Sequence, residues 1–394
     1  MNLIKNFIRM GIKKKCKVLL VICNTKLHGT ERYVLELARN LSKELFDVYV
    51  ATPEIGEISE ILSKYNINEL VFHNGRMNLF TLRGTLNLFK LIKEYKFDVI
   101  HANAGIIPNI LGKLLGVRVN IEIKHGIINY TDEVLHNLPI KKKIHEWIKQ
   151  FFVDYFIAIS KNDKERMVKY FFLKKEKIKI IYNGIDEKIL LPYRKTLDLE
   201  KESSKALITI GNIGRITFQK GQEILIEAFY KLATIRQNVK LVIVGTGENE
   251  PEIKKLIEMK GLTDKVILMG YKTNIFDYLK TFDIFVLTSR FEGVPYVILE
   301  AMSIGVPIIS TKVGGIDNIL EDGKTALLVE KENIVKIFEA MLKLVDDPLL
   351  RYKLASNSIE EVKNYSISKM VSETSALYLS KCKNILSTSI VNLD

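Results

Sequence analysis

The chain contains 394 residues, of which 47% are hydrophobic, and it carries a formal net charge of +13. This hydrophobic fraction suffices for packed cores and excludes a disordered or collagen-like chain. The three cysteines are odd in number and widely spaced, which excludes a disulfide framework and fits a reducing compartment. The length predicts two or three domains.

The positive charge is concentrated in the first half of the chain. Residues 1–200 contain 34 Lys and Arg against 22 Asp and Glu, whereas residues 201–394 contain 25 against 24. This imbalance predicts that the first half meets something anionic, such as a membrane surface, a phospholipid or a phosphorylated substrate. A solvated basic surface is the alternative interpretation.

The N-terminal region contains two segments that bear on membranes. No apolar run reaches the ~18 residues that a spanning helix needs. Val18–Cys23 follows several lysines but is too short for a signal peptide, so it is interpreted as a buried first strand. Residues 1–12 place four apolar side chains on one helical face, which predicts either a short helix on a membrane surface or a frayed or docked terminus.

Short apolar runs alternate with helical patterns along the first half of the chain. Runs that are apolar on both faces and separated by helices are typical of parallel sheets covered on both sides. The predicted strands are Lys17–Cys23, Asp47–Ala51, Glu69–His73, Asp98–His101, Arg118–Lys124, Tyr155–Ile159 and Ile178–Ile181. Helices are predicted at Glu31–Leu45, Leu79–Tyr95 and Asn162–Phe171.

The second half repeats this alternation. Its predicted strands are Ala206–Asn212, Lys240–Gly245, Val266–Met269, Ile284–Thr288, Pro307–Ser310 and Ala326–Val329. Helices are predicted at Gln222–Leu232 and Ser366–Leu386. The two series predict an α/β chain of two doubly wound, Rossmann-like domains, at residues 1–190 and 205–365. The charged segment 191–204, which contains Pro192, is predicted to be the linker between them.

Ligands of such domains bind where strands end and helices begin. Gly214-Arg215, followed by Lys220-Gly221, comes after the strand Ala206–Asn212. Glycine lets backbone approach a ligand, Arg215 can hold two phosphate oxygens, and Lys220 adds a mobile cation. The spacing matches neither a Walker loop nor a dinucleotide fingerprint. Two interpretations of this segment remain: a phosphate-binding site, and an ordinary turn that carries two exposed cations.

A second candidate segment follows the strand Ile284–Thr288. Glu292 lies in a loop, Pro295 suits the first position of a helix, and Glu300 lies further along that helix. The N–H groups at a helix start favour an anion, and a carboxylate beside them can hold sugar hydroxyls. A solvated helix face is the alternative.

Weaker candidates follow other strands. His125-Gly126 ends the strand Arg118–Lys124, and Gly29 lies where the first strand leads into a helix. Gly314-Gly315 forms a turn after the strand Pro307–Ser310. Each pattern also occurs as an ordinary structural turn or a packed histidine.

Taken together, these segments resemble the retaining nucleotide-sugar glycosyltransferases of family 4. The resemblance spans almost the whole chain and is strongest from Gly211 to Val329. It is carried by the following segments: Gly214-Arg215 with Lys220-Gly221, Glu292 with Glu300, Val313-Gly314-Gly315, Glu321-Asp322-Gly323, and Ile181-Tyr182-Asn183-Gly184. Departures are His28-Gly29-Thr30-Glu31 in place of a Gly-Gly loop, His101-Ala102-Asn103 in place of His-x-His, and Gly293-Val294-Pro295 in place of Gly-Phe-Gly.

The resemblance implies a GT-B fold, in which two Rossmann-like domains face each other across a cleft and a C-terminal helix, here within residues 366–394, crosses back. It also implies roles for individual residues. Arg215 and Lys220 would neutralise the donor diphosphate, Glu292 would contact the donor sugar, and Glu300 would hold the ribose. The further donor contacts that it implies are His125 near the sugar and Gly29, Gly214, Tyr271, Gly293, Val294, Pro295, Tyr296, Gly314 and Gly315.

The predicted activity is transfer of a sugar from a UDP- or GDP-sugar to a lipid-linked glycan in cell-surface polysaccharide assembly. Neither a cofactor nor a metal is expected, because the chain has no Asp-x-Asp motif and the resemblance implies that Arg215 and Lys220 neutralise the leaving group. A nucleic-acid partner is not expected, because no motif for one is present. The predicted location is cytoplasmic, at the inner face of the plasma membrane, with contact through basic clusters such as Lys141–Lys143. The alternatives are a sugar-nucleotide epimerase of the same fold and a non-catalytic protein that binds anionic lipid.

Overall fold

The computed structural model describes residues 14–74, 80–103, 105–125, 132–200 and 206–382. Some predictions lie outside these ranges. They are the helix in residues 1–12, Gly126, residue 79 of the helix Leu79–Tyr95, residues 201–204 of the linker, and residues 383–394 of the C-terminal segment. Residues 185–366 form one compact unit, and the described residues before and after them form the other. The chain therefore enters the second unit once and then returns to the first.

The sheet of the first unit is parallel, and its described strands lie in the order β3-β2-β1-β4-β5-β6-β7. The central strands are rich in Val, Ile and Leu and are buried on both faces, as expected for a sheet covered by helices on both sides. The strands are β1 Cys16–Val21, β2 Phe46–Thr52, β3 Asn68–Val71, β4 Val99–Ala102, β5 Val119–Lys124, β6 Tyr155–Ala158 and β7 Ile178–Ile180.

The helices of the first unit lie between these strands, with one more from the C-terminal region. They are α1 Gly29–Asn40, α2 Glu57–Lys64, α3 Leu82–Tyr95, α4 Ile107–Leu114, α5 Asp132–His136, α6 Ile140–Ile148, α7 Lys161–Phe171 and α15 Ile367–Leu379. Helix α1 ends before the predicted Leu45. Leu41 is already extended, and the carbonyl of Ser42 accepts hydrogen bonds from the N–H groups of Leu45 and Phe46.

Helix α15 packs against α1 and becomes part of the first unit's interior. Tyr378 is fully buried, and its hydroxyl lies 2.7 Å from Nδ1 of His101 on β4. After the helix, the Sγ atom of Cys382 lies 3.8 Å from that of Cys16 at the start of β1. The first unit is thus built from two distant parts of the sequence.

The second unit has its own parallel sheet, whose described strands lie in the order β10-β9-β8-β11-β12-β13. The strands are β8 Ile208–Ile213, β9 Val239–Val244, β10 Val266–Leu268, β11 Ile284–Leu287, β12 Ile308–Thr311 and β13 Leu327–Val329. The helices are α8 Glu187–Leu190, α9 Gln222–Ile235, α10 Glu250–Met259, α11 Phe276–Leu279, α12 Tyr296–Ile304, α13 Ile334–Asp346 and α14 Pro348–Glu361.

The boundary between the units differs in position from the predicted linker. The second unit begins at Ile185, whose N–H donates to the carbonyl of Tyr365 at 3.0 Å. Within the predicted linker, Leu191–Tyr193 form a 3₁₀ helix, and the N–H of Lys195 donates to the carbonyl of Ile304. The start of that segment is therefore packed into the second unit.

Among the residues described, no helix combines the length and the hydropathy that crossing a bilayer requires.

Candidate active site

The strand order of the second unit defines where a ligand can bind. The chain proceeds outward from β8 to β9 and β10 on one side, and from β11 to β12 and β13 on the other. The loops after β8 and β11 therefore diverge, and they leave a crevice at the carboxyl edge of the sheet. Lys220 lies in the first of these loops and Glu292 lies in the second.

Lys220 and Glu292 meet in this crevice. The Nζ atom of Lys220 lies 2.5 Å from Oε1 of Glu292. The hydroxyl of Ser289 donates to the same carboxylate oxygen at 2.6 Å. The side chain of Glu292 is only 6% exposed and that of Lys220 only 12%, so the charges compensate each other where water is scarce. The structure thus joins two segments that the sequence presents separately.

Glycine allows the loops around this pair to touch. Gly314 has φ +60°, and a Cβ atom on it would lie 1.6 Å from the carbonyl oxygen of Glu292. The next N–H, of Gly315, donates to the carbonyl of Gly293 at 3.2 Å. The loops after β11 and β12 are therefore in backbone contact, and this contact sets the position of Glu292.

Gly221 has a similar role beside Lys220. It adopts φ +62° at the start of α9, and a Cβ atom on it would lie 2.6 Å from the carbonyl oxygen of Thr288. The hydroxyl of Thr288 donates to the carbonyl of Gly221 at 2.8 Å. This second close approach holds the loop that carries Lys220 against the end of β11.

Arg215 lies on the rim of the crevice. It is exposed, and its Nη2 atom lies 3.3 Å from Oε1 of Gln219. Gln219 is itself anchored, because its Nε2 donates to the carbonyl of Phe291 and its own carbonyl accepts from the N–H of Arg290. Arg215 and Lys220 therefore lie in the same anchored loop, and the guanidinium group of Arg215 remains accessible to an anion.

Helix α12 begins at the edge of the same crevice. Pro295 is its N-cap rather than its first helical residue, because Pro295 is extended and Tyr296 is the first residue of the helix. Gly293 and Pro295 are partly exposed, whereas Val294 and Tyr296 are buried. Glu300 is fully buried in this conformation, so contact between its carboxylate and a ribose requires neighbouring side chains to move.

Two further predicted contacts lie in the second unit. Gly214 follows β8, and its N–H donates to the carbonyl of Val244 at the end of β9. Tyr271 is 65% exposed and follows Gly270, whose carbonyl accepts from the N–H of Gly245. Tyr271 thus lies after β10, on the β9 side of the sheet.

The first unit has its own diverging strands, at β1 and β4. Gly29 is exposed and is the first residue of α1, directly after the loop that follows β1. His125 follows β5, and its Nε2 atom lies 3.3 Å from Oδ1 of Asn103, which follows β4. The ring of Tyr33, on α1, packs edge-on against His125 at 5.3 Å between centroids.

His101 lies behind this group, where its ring contacts Tyr33 and its Nδ1 meets the hydroxyl of Tyr378. Burial, with a smaller contribution from the charge of His125, lowers the pKa of His101 to about 3. Burial lowers the pKa of His125 to about 4. Both rings are therefore neutral at physiological pH, and His125 is able to accept or donate a hydrogen bond without carrying charge.

Acidification is expected to destabilise the first unit. An unfolded histidine titrates near 6.5, so below that pH the unfolded chain binds protons that the folded His101 does not. The contribution of neutral His101 to the free energy of unfolding is fully present above pH 6.5 and is lost as the pH falls toward 3. At pH 4.5 the loss from His101 is about 2–3 kcal/mol. Urea unfolding at several pH values measures this loss.

The matched variants for that experiment are His101→Asn and His73→Asn. His73 is exposed with φ +47°, a conformation that asparagine adopts readily. His101→Asn should flatten the dependence of the unfolding free energy on pH, and His73→Asn should leave it unchanged. An unaltered slope in His101→Asn would contradict the assignment.

Several residues of these groups were not identified by sequence analysis. Ser289 and Gln219 in the second unit and Tyr33 in the first contact predicted residues directly. The available signal for Ser289 was a polar residue directly after an apolar strand. Tyr378 could not be found in this way, since its partner His101 is 277 positions away.

Both halves of the chain match models of known protein families. The family model "Glycosyl transferases group 1" matches residues 195–361, and the model "Glycosyltransferase Family 4" matches residues 27–188. A capsular polysaccharide biosynthesis glycosyltransferase of Staphylococcus aureus is 31% identical over 84% of this chain and 89% of its own. These matches are all to glycosyltransferases, which are enzymes that transfer sugars, and the two family models together account for both halves of the chain. The chain belongs to the group 1 glycosyltransferases.

More distant matches agree with this assignment. The UDP-Gal:alpha-D-GlcNAc-diphosphoundecaprenol alpha-1,3-galactosyltransferase of Escherichia coli is 26% identical over 94% of this chain and 98% of its own. The crystal structure of Anabaena Alr3699/HepE in complex with UDP-glucose aligns with a TM-score of 0.76 at 21% identity, covering 92% of this chain and 99% of that one. The prediction of a glycosyltransferase with a GT-B fold is therefore confirmed.

Proposed function

We propose that this glycosyltransferase moves a sugar from a UDP- or GDP-sugar to a hydroxyl group of a lipid-linked glycan, with retention of configuration at the anomeric carbon. The reaction belongs to cell-surface polysaccharide assembly at the cytoplasmic face of the plasma membrane. The observation that carries the proposal is the Lys220–Glu292–Ser289 group in the crevice between β8 and β11.

This group suits a reaction in which a diphosphate departs. As the glycosidic bond breaks, the sugar carbon gains positive character and the leaving phosphate gains negative charge. Lys220 and the accessible guanidinium of Arg215 stabilise that phosphate more in the transition state than in the ground state. Glu292 holds Lys220 in place before the donor arrives and then lies beside the sugar. The N–H groups at the start of α12 add further stabilisation.

We propose that the configuration is retained because leaving group and acceptor use the same face of the sugar. The acceptor hydroxyl attacks from the face that the diphosphate leaves, and the departing phosphate oxygen takes the hydroxyl proton. No enzyme carboxylate forms a bond to the sugar in this scheme. The two cations supply the charge compensation, so turnover is proposed not to need a divalent metal.

The proposed substrates draw support from the relatives. The Escherichia coli relative is named for UDP-Gal as donor and for a diphosphoundecaprenol-linked acceptor, and the Staphylococcus aureus relative for capsular polysaccharide. The neighbouring Anabaena structure contains UDP-glucose. The basic first half of the sequence suits an acceptor held at an anionic membrane.

A donor panel tests the proposal. Purified protein is incubated with radiolabelled UDP- and GDP-sugars and extracted lipid-linked acceptors, with and without EDTA. We expect the sugar of one donor to be incorporated into lipid-extractable product. If the sugar is α-linked in the donor, the linkage in the product should also be α. EDTA should have no effect on the incorporation. The same donor should raise the melting temperature.

Three results would count against the proposal. Failure of every donor with folded protein would oppose sugar transfer to this acceptor class. Release of free epimerised sugar with UDP in the absence of acceptor would favour an epimerase. An inverted linkage would exclude the retaining mechanism while leaving the class of enzyme unchanged.

A further inference from the structure

Helix α6, Ile140–Ile148, presents an unusual surface in the first unit. None of its nine residues is buried. Its apolar side chains recur at intervals of three and four residues, which places them on one face, and the face continues into the 3₁₀ turn that follows. We call this set the apolar face; its members are Ile140, Ile144, Trp147, Ile148 and Phe151. The rings of Trp147 and Phe151 touch edge-on at 5.1 Å.

The charge on this helix is almost entirely positive. Lys141, Lys142 and Lys143 follow one another, and the first two are exposed. The one carboxylate of the helix, Glu146, is bound at 2.6 Å by Lys124 and at 2.7 Å by Lys149. Burial opposes ionisation of Glu146, but these two ammonium groups outweigh it and lower its pKa to about 2.

Glu146 is therefore neutralised from within the unit. Lys124 and Lys149 are themselves shared with a second carboxylate, Glu122, which is buried on β5. What remains toward solvent is the exposed pair Lys141 and Lys142, together with the isoleucine, tryptophan and phenylalanine side chains of the apolar face, since Lys143 is half-buried and donates to the carbonyl of His136.

We propose that α6 and the turn after it form the surface by which the enzyme docks onto an anionic membrane. Lysines beside an apolar face suit a bilayer surface, where the cations meet lipid phosphates and the apolar side chains enter the acyl boundary. Tryptophan is favoured at that depth because its ring is apolar and its N–H is polar. The inference rests on the proposed lipid-linked acceptor, since docking brings the enzyme to the surface where such an acceptor lies.

Trp147 makes the proposal directly measurable, because it is the only tryptophan in the chain. The intact protein is mixed with phosphatidylcholine vesicles that contain either no anionic lipid or about one third phosphatidylglycerol. Vesicles with phosphatidylglycerol should shift tryptophan emission to shorter wavelength and should co-sediment with the protein. Both effects should weaken as salt rises.

Two variants test the two components of the surface. Ile144→Ser reduces the apolar face, and the pair Lys141→Glu/Lys142→Glu reverses the exposed charge. Each should weaken vesicle binding at least tenfold. The matched controls lie on α3 of the same unit, where Leu86 and the lysines Lys90 and Lys93 are exposed to a similar degree. Leu86→Ser and Lys90→Glu/Lys93→Glu should bind vesicles as the unmodified protein does.

Three outcomes would overturn the proposal. One is an emission spectrum unaffected by anionic vesicles. Another is equal weakening by the α3 controls, which would reflect net charge alone. The third is a spectral shift that follows protein concentration without lipid and coincides with dimer formation, which would assign the face to a second copy.

The test of membrane docking is independent of the test of the proposed function. Vesicle binding needs no donor, so it can be present in a protein that transfers no sugar from any nucleotide. Conversely, the α6 variants should keep the rise in melting temperature caused by the donor, since α6 lies in the first unit and the Lys220–Glu292 pair in the second.

Discussion

Replacing Lys220 with alanine is expected to lower kcat for sugar transfer by about 10²- to 10³-fold, the usual effect of removing one group that stabilises a developing anion. The loss should fall on kcat more than on donor binding, because the lysine acts most strongly on the charge that develops in the transition state. Steady-state kinetics with the preferred donor provide the measurement.

The same substitution should also destabilise the second unit. It leaves the Glu292 carboxylate buried with Ser289 as its remaining side-chain partner in the group, at a cost of up to about 3 kcal/mol. The double variant Lys220→Ala/Glu292→Gln removes both charges and should recover most of that stability. It should recover none of the activity, which separates the catalytic role from the structural one.

The control is Lys254→Ala. Lys254 pairs with Glu250 at 2.8 Å on an exposed face of α10, where such a pair contributes about 1 kcal/mol or less. This variant should have unchanged kcat. A folded Lys220→Ala enzyme with kcat within a few-fold of the unmodified protein would contradict the site assignment.

Replacing Gly314 with alanine is expected to disrupt both folding and activity. A Cβ atom 1.6 Å from the carbonyl oxygen of Glu292 cannot be accommodated, so the loops after β11 and β12 must separate. Separation breaks the hydrogen bond from Gly315 to Gly293 and moves Glu292 away from Lys220. We expect a loss of about 3 kcal/mol or more in unfolding free energy, together with loss of sugar transfer.

Gly323→Ala isolates the effect of backbone conformation. Gly323 has φ +72°, close to the φ of Gly314, but no atom lies within 4 Å of the position of its Cβ. This variant should lose only about 1–2 kcal/mol, from the left-handed conformation, and should retain activity. Urea unfolding of both variants, with donor turnover in the same buffer, makes the comparison. Equal losses in the two proteins would show that close packing at Gly314 is unimportant.

The central strands were predictable because they are short runs rich in Val, Ile and Leu that are buried on both faces. The run at Ile284–Thr288 corresponds to β11, Ile284–Leu287, with a difference of one residue at its end. Helix ends were less predictable. The apolar pattern of α1 continues to Leu45, but the local hydrogen bonds to the carbonyl of Ser42 end the helix before that residue.

The site was predictable as residue types but not as contacts. Arg215, Lys220 and Glu292 were identified through their motifs and the family resemblance. Their proximity depends on β8 lying beside β11, and sheet order is a long-range property that hydrophobic patterns do not encode. The same reason applies to Ser289 and to the pairing of His101 with Tyr378, whose partners are decided by packing rather than by local sequence.

The return of α15 to the first unit has a consequence for biosynthesis. The second unit is a continuous segment of about 180 residues, so it can fold as soon as it has been synthesised. The first unit lacks Tyr378 and the rest of α15 throughout that time, which lasts on the order of ten seconds or more at about 5–20 residues per second. The side chains of His101 and Tyr33 therefore lack the contacts with α15 until the ribosome has synthesised that helix. The domain that is made first is therefore completed last, and the side chains that α15 covers remain accessible to chaperones during that interval.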